Sequence, residues 1–270
     1  MRGPARIAPR AAAAALLALA AGAARAEIGL PRDVSLDGHR IDELLLFTLV
    51  ATGILFAVMV VWMLIPIVRR RPEAAYLPGG GKKAAAGVVG LAVGVFAVVD
   101  GNLLTHAFVD VNDHFWNFEM AEKTPGAVRV EVNAHQWAWD FRLPGPDGNF
   151  NSADDVVALN ELRVPVGSPV ILQMGATDVV HSFYLPNFRV KQDVVPGSVT
   201  QLWFQAQEAG EFEIGCTQHC GPGHYKMRGK LVAMPRAEWE AWMARASEDA
   251  RIAYQPDDAG GHWGWKWRKF

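Results

Sequence analysis

Apolar positions come first as long unbroken runs and later as short alternations, and the two patterns predict different structures. The first run, Ala11–Ala24, follows Arg2, Arg6 and Arg10 and stops at Ala-Arg-Ala before Glu27. A basic start, a short apolar stretch and a small-residue end are the marks of a secretory signal peptide, here residues 1–26. The second run, Leu44–Val68, carries no charge and is long enough to cross about 30 Å of hydrocarbon. The third extends from about Ala84 to Val109, uncharged at first and interrupted later by Asp100 and Asn102. These two runs predict a transmembrane hairpin within residues 27–110. An acid inside a span is a functional candidate, so Asp100 is a candidate for contact with a partner subunit or for a proton path.

Between the spans, Arg69, Arg70, Arg71, Lys82 and Lys83 crowd one short connection. Positive charge of this kind stays in the cytoplasm. Both outer flanks, including everything after residue 110, then face the periplasm, which agrees with the signal peptide.

From about Thr124 the period changes to two. The segments AVRVEVNA, QWAWDFRL, SPVILQM, VTQLWFQA, GEFEIGC and GKLVAM alternate as strands do, with Gly and Pro marking the turns between them. In QWAWDFRL the alternation puts Trp137, Trp139, Phe141 and Leu143 on one face. Residues 111–235 therefore read as an exported all-β sandwich or barrel. Residues 236–270 follow as a helix over RAEWEAWMARASEDARIAY and a surface-packed aromatic and basic tail, HWGWKWRKF.

Charge narrows the function. With 26 Lys and Arg against 28 Asp and Glu, the net charge of −2 gives no electrostatic case for nucleic acid. Two cysteines cannot make a disulfide framework.

Those two cysteines lie in CTQHCGPGHYKM, Cys216–Met227, with His224 and Met227. Thiol, imidazole and thioether together suit copper, since soft sulfur stabilises Cu(I) and imidazole accepts Cu(II). Two thiolates can bridge two copper ions, each completed by one histidine, with Met227 and a backbone carbonyl between the cysteines as weak further ligands. The second histidine has to come from elsewhere, and His181, in a loop of its own, supplies it. A Cys216–Cys220 disulfide leaves His224 and Met227 unexplained, and a zinc site has no use for the methionine.

These motifs together resemble the copper-carrying subunit II of haem-copper cytochrome c oxidases. The resemblance covers two amino-terminal spans and, in order, QWAW, DVVHSFYLPNFRVKQDVVPG and CTQHCGPGHYKM. It implies a two-helix transmembrane hairpin followed by an all-β periplasmic, cupredoxin-like Greek-key sandwich in a bacterial inner (cell) membrane. It implies a binuclear copper centre, CuA, held by His181, Cys216, Cys220, His224, Met227 and the backbone carbonyl of Gln218. The first tryptophan of QWAW, Trp137, matches the position where electrons arrive from cytochrome c. From CuA they would pass to the haem of subunit I, where oxygen is reduced to water with proton translocation, so this chain is the electron-input subunit of an oxidoreductase. Implied partners are subunit I, other oxidase subunits, cytochrome c and the membrane. Lys191 and Asp193 match the family's region of contact with subunit I. Glu119, Glu122, Asp140, Asp154 and Asp155 are candidates for docking a basic cytochrome c.

Two positions depart from the family. A glutamate commonly stands between the cysteines and reaches a Mg²⁺ ion shared with subunit I. Gln218 keeps a carbonyl for copper, but its neutral amide is a poorer ligand for a hard cation, which puts the Mg²⁺ contact at the subunit I interface in doubt. No acid stands near the cytoplasmic start of the second span, where Lys82 and Lys83 lie. The rival readings are a copper-free quinol-oxidase subunit II, a nitrous oxide reductase and a periplasmic copper carrier. The complete ligand set argues against the first, the length against the second and the two spans against the third. No Cys-x-x-Cys-His is present for a c-type haem.

Overall fold

The structure is a computed structural model and describes residues 29–69, 81–258 and 261–268. The expected signal peptide, residues 1–26, and most of the basic connection lie outside the described residues. The two apolar runs form helices, α1 (Gly38–Arg69) and α2 (Lys82–Val95). The second continues without a break through a π-helical stretch at Phe96–Asp100, α3 (Gly101–Asp110) and a second π-helical stretch at Val111–Phe115. Both are long and apolar enough to cross a membrane. Neither buries its apolar surface within the chain, and Phe56, Trp62, Leu91 and Phe96 are all exposed. Asp100, also exposed, ends the first π-helical stretch. A short helix, α4 (Phe118–Lys123), capped by the Asn117 side chain on Met120 N–H at 3.1 Å, leads into the β domain.

That domain has ten strands: β1 (Val128–His135), β2 (Ala138–Leu143), β3 (Val156–Leu159), β4 (Glu161–Pro165), β5 (Pro169–Ala176), β6 (His181–Leu185), β7 (Val190–Val194), β8 (Thr200–Gln205), β9 (Gly210–Cys216) and β10 (Arg228–Met234). They form two five-stranded sheets, ordered β3-β2-β1-β5-β8 and β4-β10-β9-β6-β7. β1 runs parallel to β5 and β4 parallel to β10, while the other pairs are antiparallel. This is a Greek-key sandwich of the cupredoxin kind. Its core is the inward set predicted by alternation, including Val130, Val132, Phe141, Leu172, Phe204, Ile214 and Leu231. Helix α5 (Arg236–Ala253) packs Trp239, Trp242 and Met243 against that core.

Three features differ from the expectations. Trp137 is outside the strand that its alternation suggests: β1 pairs to β2 through His135 and Ala138, so Gln136 and Trp137 are the two residues of the hairpin turn. His181 is not in a loop but is the first residue of β6, paired with Val194. Strands β3, β4, β6 and β7 lie in stretches for which the alternation predicted no strand.

The outer face of the first sheet is not a solvated face. Residues 261–268 cross it as an extended strap. Arg142 donates to the carbonyls of Gly261 (2.6 Å) and Trp263 and lies 4.0 Å from the Trp263 ring. Gln173 exchanges two hydrogen bonds with the Arg268 backbone, at 2.9 and 3.2 Å. Trp267 stacks on Phe150, with ring centroids 5.1 Å apart. A Cβ on Gly175 would sit 2.9 Å from the Trp265 ring, so glycine lets this indole approach the sheet closely. Beneath the strap Arg142, fully buried, pairs with Glu131 at 3.3 Å and Asp155 at 3.4 Å. Two carboxyls around one guanidinium leave a buried excess of negative charge, which favours keeping one proton. Burial accordingly pushes Glu131 up to about 7, against the pull of Arg142, and burial also raises Asp155.

The sandwich is fastened to the start of α1 and the end of the second helical run. Arg189 pairs with Asp42 at 2.7 and 2.9 Å, and Trp203 Nε1 donates to the His114 carbonyl at 3.1 Å. Ser35 bridges to Ala206. Arg40 links α1 to Asp110 at the end of α3, at 3.1 Å.

Candidate metal centre

The β9–β10 hairpin carries most of the donors. Cys216 is the last residue of β9, and its N–H donates to the Met227 carbonyl at 3.3 Å, closing the loop immediately before β10. Inside, Gly221 at φ +118° takes a backbone conformation that suits glycine. The His224 N–H donates to the Gly221 carbonyl at 3.0 Å, starting a single helical turn, His224–Lys226. Thr217 N–H donates to the Ser182 carbonyl at 3.1 Å, which ties this loop to β6 and so to His181.

The sulfurs and imidazoles converge. Cys216 Sγ and Cys220 Sγ are 3.8 Å apart, and both cysteines are free. Cys220 Sγ lies 3.6 Å from His224 Nδ1 and 3.7 Å from Met227 Sδ, which is 3.1 Å from His181 Nδ1. Ligand atoms of His181, Cys216 and Cys220 all fall within 4.8 Å of one another. Cys216 Sγ also meets the Gln218 carbonyl at 3.3 Å, while the rest of Gln218 is exposed. His181, Met227 and Cys220 are buried, and Cys216 and His224 are half-buried. Burial, with the charge of Cys216 beside it, pushes the Cys220 thiol up to about 12. A metal ion binding this sulfur as thiolate therefore displaces a proton. Two thiols, two imidazoles that both turn Nδ1 inward and one thioether form a soft donor set that could hold copper.

Three residues outside the sequence reading complete the site. Asp178 Oδ1 is 2.8 Å from His181 Nε2. Burial raises this carboxyl, but hydrogen bonds from His181, Val179 N–H and Gln136 N–H outweigh it and hold it below its ordinary value. Gln136 Nε2 donates to the Cys220 carbonyl at 2.8 Å, and Trp137 Nε1 reaches the same carbonyl at 3.3 Å. Gly223 makes room for the indole, since a Cβ there would sit 2.3 Å from Trp137 Cδ2. The signals were an acid three residues before His181 and two glycines in CGPGH. Trp139, by contrast, is fully buried, edge-on to His181 and Phe183.

The remaining candidates scatter. Lys191 and Asp193 are exposed on β7, an edge strand, where Asp193 accepts from Ser182 Oγ at 2.7 Å. Asp154 and Asp155 are buried against Arg251 and Arg142, so these two offer no surface charge to a docking partner. Glu119 is paired with Lys123, and Asp140 with His135 at 3.3 Å.

Comparison with known proteins shows the family to which this chain is related. The family profile described as cytochrome C oxidase subunit II, periplasmic domain, matches residues 128–233. A Bradyrhizobium diazoefficiens protein named alternative cytochrome c oxidase subunit 2 is 32% identical over 240 residues, covering 79% of this chain and 82% of that one. Cytochrome c oxidase subunit 2 of Alkalihalophilus pseudofirmus is 36% identical over 138 residues, which span 49% of this chain and 38% of that longer protein. The crystal structure of the periplasmic domain of subunit II of cytochrome oxidase from Bradyrhizobium japonicum is 26% identical, with a TM-score of 0.41 over 45% of this chain and 94% of that one.

Proposed function

Because the chain belongs to the cytochrome c oxidase subunit II family, we propose that it is the electron-input subunit of such an oxidase, carrying a binuclear CuA centre. The observation that supports this reading is the clustering of two free thiols and the His181 imidazole within 4.8 Å of one another, with His224 Nδ1 and Met227 Sδ both beside Cys220 Sγ. His181, Cys216, Cys220, His224 and Met227 would hold the two ions by their side chains, and Gln218 by its carbonyl. Bound there, the pair would supply one-electron chemistry, between cytochrome c outside and the haem of subunit I, where oxygen becomes water with proton translocation.

The chain's own residues set the conditions for that chemistry. Cys216 and Cys220 give up protons to become thiolates. Asp178 fixes the ring of His181 so that Nδ1 points inward. The burial of His181, Met227 and Cys220 keeps water from one side of the site. Trp137, 39% exposed and in contact with the Cys220 carbonyl, offers an aromatic surface through which an electron arrives. The positive charge of residues 69–83 supports a cytoplasmic position for this connection, with the sandwich outside. In this reading residues 1–26 are the signal peptide, 27–110 the membrane hairpin, 111–235 the CuA domain and 236–270 the terminal helix and strap.

The test is copper addition to the purified full chain, followed by absorption and electron paramagnetic resonance. The expected result is a strongly coloured species whose hyperfine pattern shows one unpaired electron shared equally by two copper nuclei. A single-nucleus pattern overturns the binuclear assignment. No uptake at all puts a copper-free, quinol-oxidase type of subunit in its place.

A further inference from the structure

The hairpin turn that carries Trp137 has only two residues, and the other one, Gln136, touches both metal-bearing segments. Its side-chain amide donates to the Cys220 carbonyl at 2.8 Å, and its backbone N–H donates to Asp178 Oδ2 at 2.6 Å. Asp178 in turn holds His181. The Cys220 carbonyl, with two lone pairs, thus receives Gln136 Nε2 and Trp137 Nε1 together, the second at a longer 3.3 Å. An indole that is 39% exposed, with one long hydrogen bond, is weakly restrained by itself. Gly221 and Gly223 lie against it, and a Cβ on Gly221 would sit 2.8 Å from Gln136 Nε2.

From this geometry we infer that Gln136 is a positioning residue for electron input, clamping the turn to Cys220 and Asp178 so that the Trp137 indole stays seated on the metal loop. The inference rests on the proposed role of Trp137 and adds the group that makes that role reproducible from molecule to molecule. Orientation of a reacting group contributes large rate factors, and a displacement near 1 Å can cost about a hundredfold. The hydrogen bond of the Gln136 side chain goes to a backbone carbonyl, not to a sulfur or an imidazole of the donor set. It therefore acts through the indole and not through the metal.

The test compares Gln136→Leu, Trp137→Phe and the double variant in the complete oxidase. In Gln136→Leu the rate at saturating cytochrome c is expected to fall by about tenfold or more, with KM unmoved. The double variant is expected to be no slower than Trp137→Phe, because both changes remove one function. Copper absorption and paramagnetic resonance spectra should match the parent. In the reduced, copper-loaded full chain labelled with fluorotryptophan, the Trp137 fluorine line, assigned by its loss in Trp137→Phe, should shift and narrow in Gln136→Leu. An unmoved fluorine line overturns the inference. So does a raised KM at constant kcat, which would mean that Gln136 contacts the cytochrome. An altered copper spectrum overturns it too, since Gln136 would then be holding the metal loop. If Trp137→Phe alone leaves the rate intact, the input role of Trp137 fails instead, and the fluorine line still decides whether Gln136 positions the indole.

Discussion

Asp178 grips His181 from three residues upstream: its Oδ1 is 2.8 Å from Nε2, and the opposite ring nitrogen, Nδ1, is left facing Met227 Sδ at 3.1 Å. A carboxylate on the outer nitrogen of an imidazole fixes its tautomer and makes the inner nitrogen a better donor. Asp178→Asn keeps the shape and removes the charge. Copper affinity, measured by competition with a chelator, is expected to fall about 10–100-fold, with the circular dichroism of the sandwich unchanged. Parent-like affinity would remove Asp178 from the site.

Gly223 lies directly under the Trp137 indole. In Gly223→Ala the new methyl would meet Cδ2 at 2.3 Å, Cε3 at 2.6 Å and Cε2 at 2.7 Å, and a rigid bicyclic ring has no way to bend around it. The expected outcome is retained copper, a stability loss of about 1–3 kcal/mol from overpacking, and cytochrome c oxidation reduced towards that of Trp137→Phe. Oxidation at the parent rate would show that the seat of the indole does not matter.

Glu131 gives the sandwich a pH dependence. Its carboxyl stands at about 7 in the folded chain against an ordinary 4.5. Between those values the folded state keeps a proton that the unfolded chain releases, so this contribution to stability is complete below the lower value and lost as pH rises through about 7. Glu131→Gln mimics the protonated form. Denaturant midpoints at about pH 5 and about pH 8 should differ less in the variant than in the parent. An equal difference in both would place the proton elsewhere, for instance on Asp155.

Sequence pattern carried the donor set further than it carried the surroundings. Cys216, Cys220, His224 and Met227 fall within one hairpin loop, so chain proximity stands in for spatial proximity. Trp137 was misplaced because W-A-W-D-F keeps its alternation through the first turn residue, and alternation cannot show where pairing stops. Strand β6 was hidden because His181 and Ser182 are polar yet fully buried: one turns to the donor set, the other to Asp193. Glu131 and Arg142 are register partners on the face of β1 and β2 turned away from the core. They are covered by residues more than a hundred positions later, a contact that no local pattern carries.

The fastening of the sandwich to the two helices has a consequence for speed. Arg189 on Asp42, Trp203 on His114 and Ser35 on Ala206 join the β domain to both helical stems at separate points. A body pinned at several places cannot tilt or swivel as one hung from a single linker can. If the Cys216–Met227 loop carries copper as proposed, that metal would stay at a set distance from the helix ends, and the gap an electron would have to cross would be a fixed dimension, set once when the chain folds.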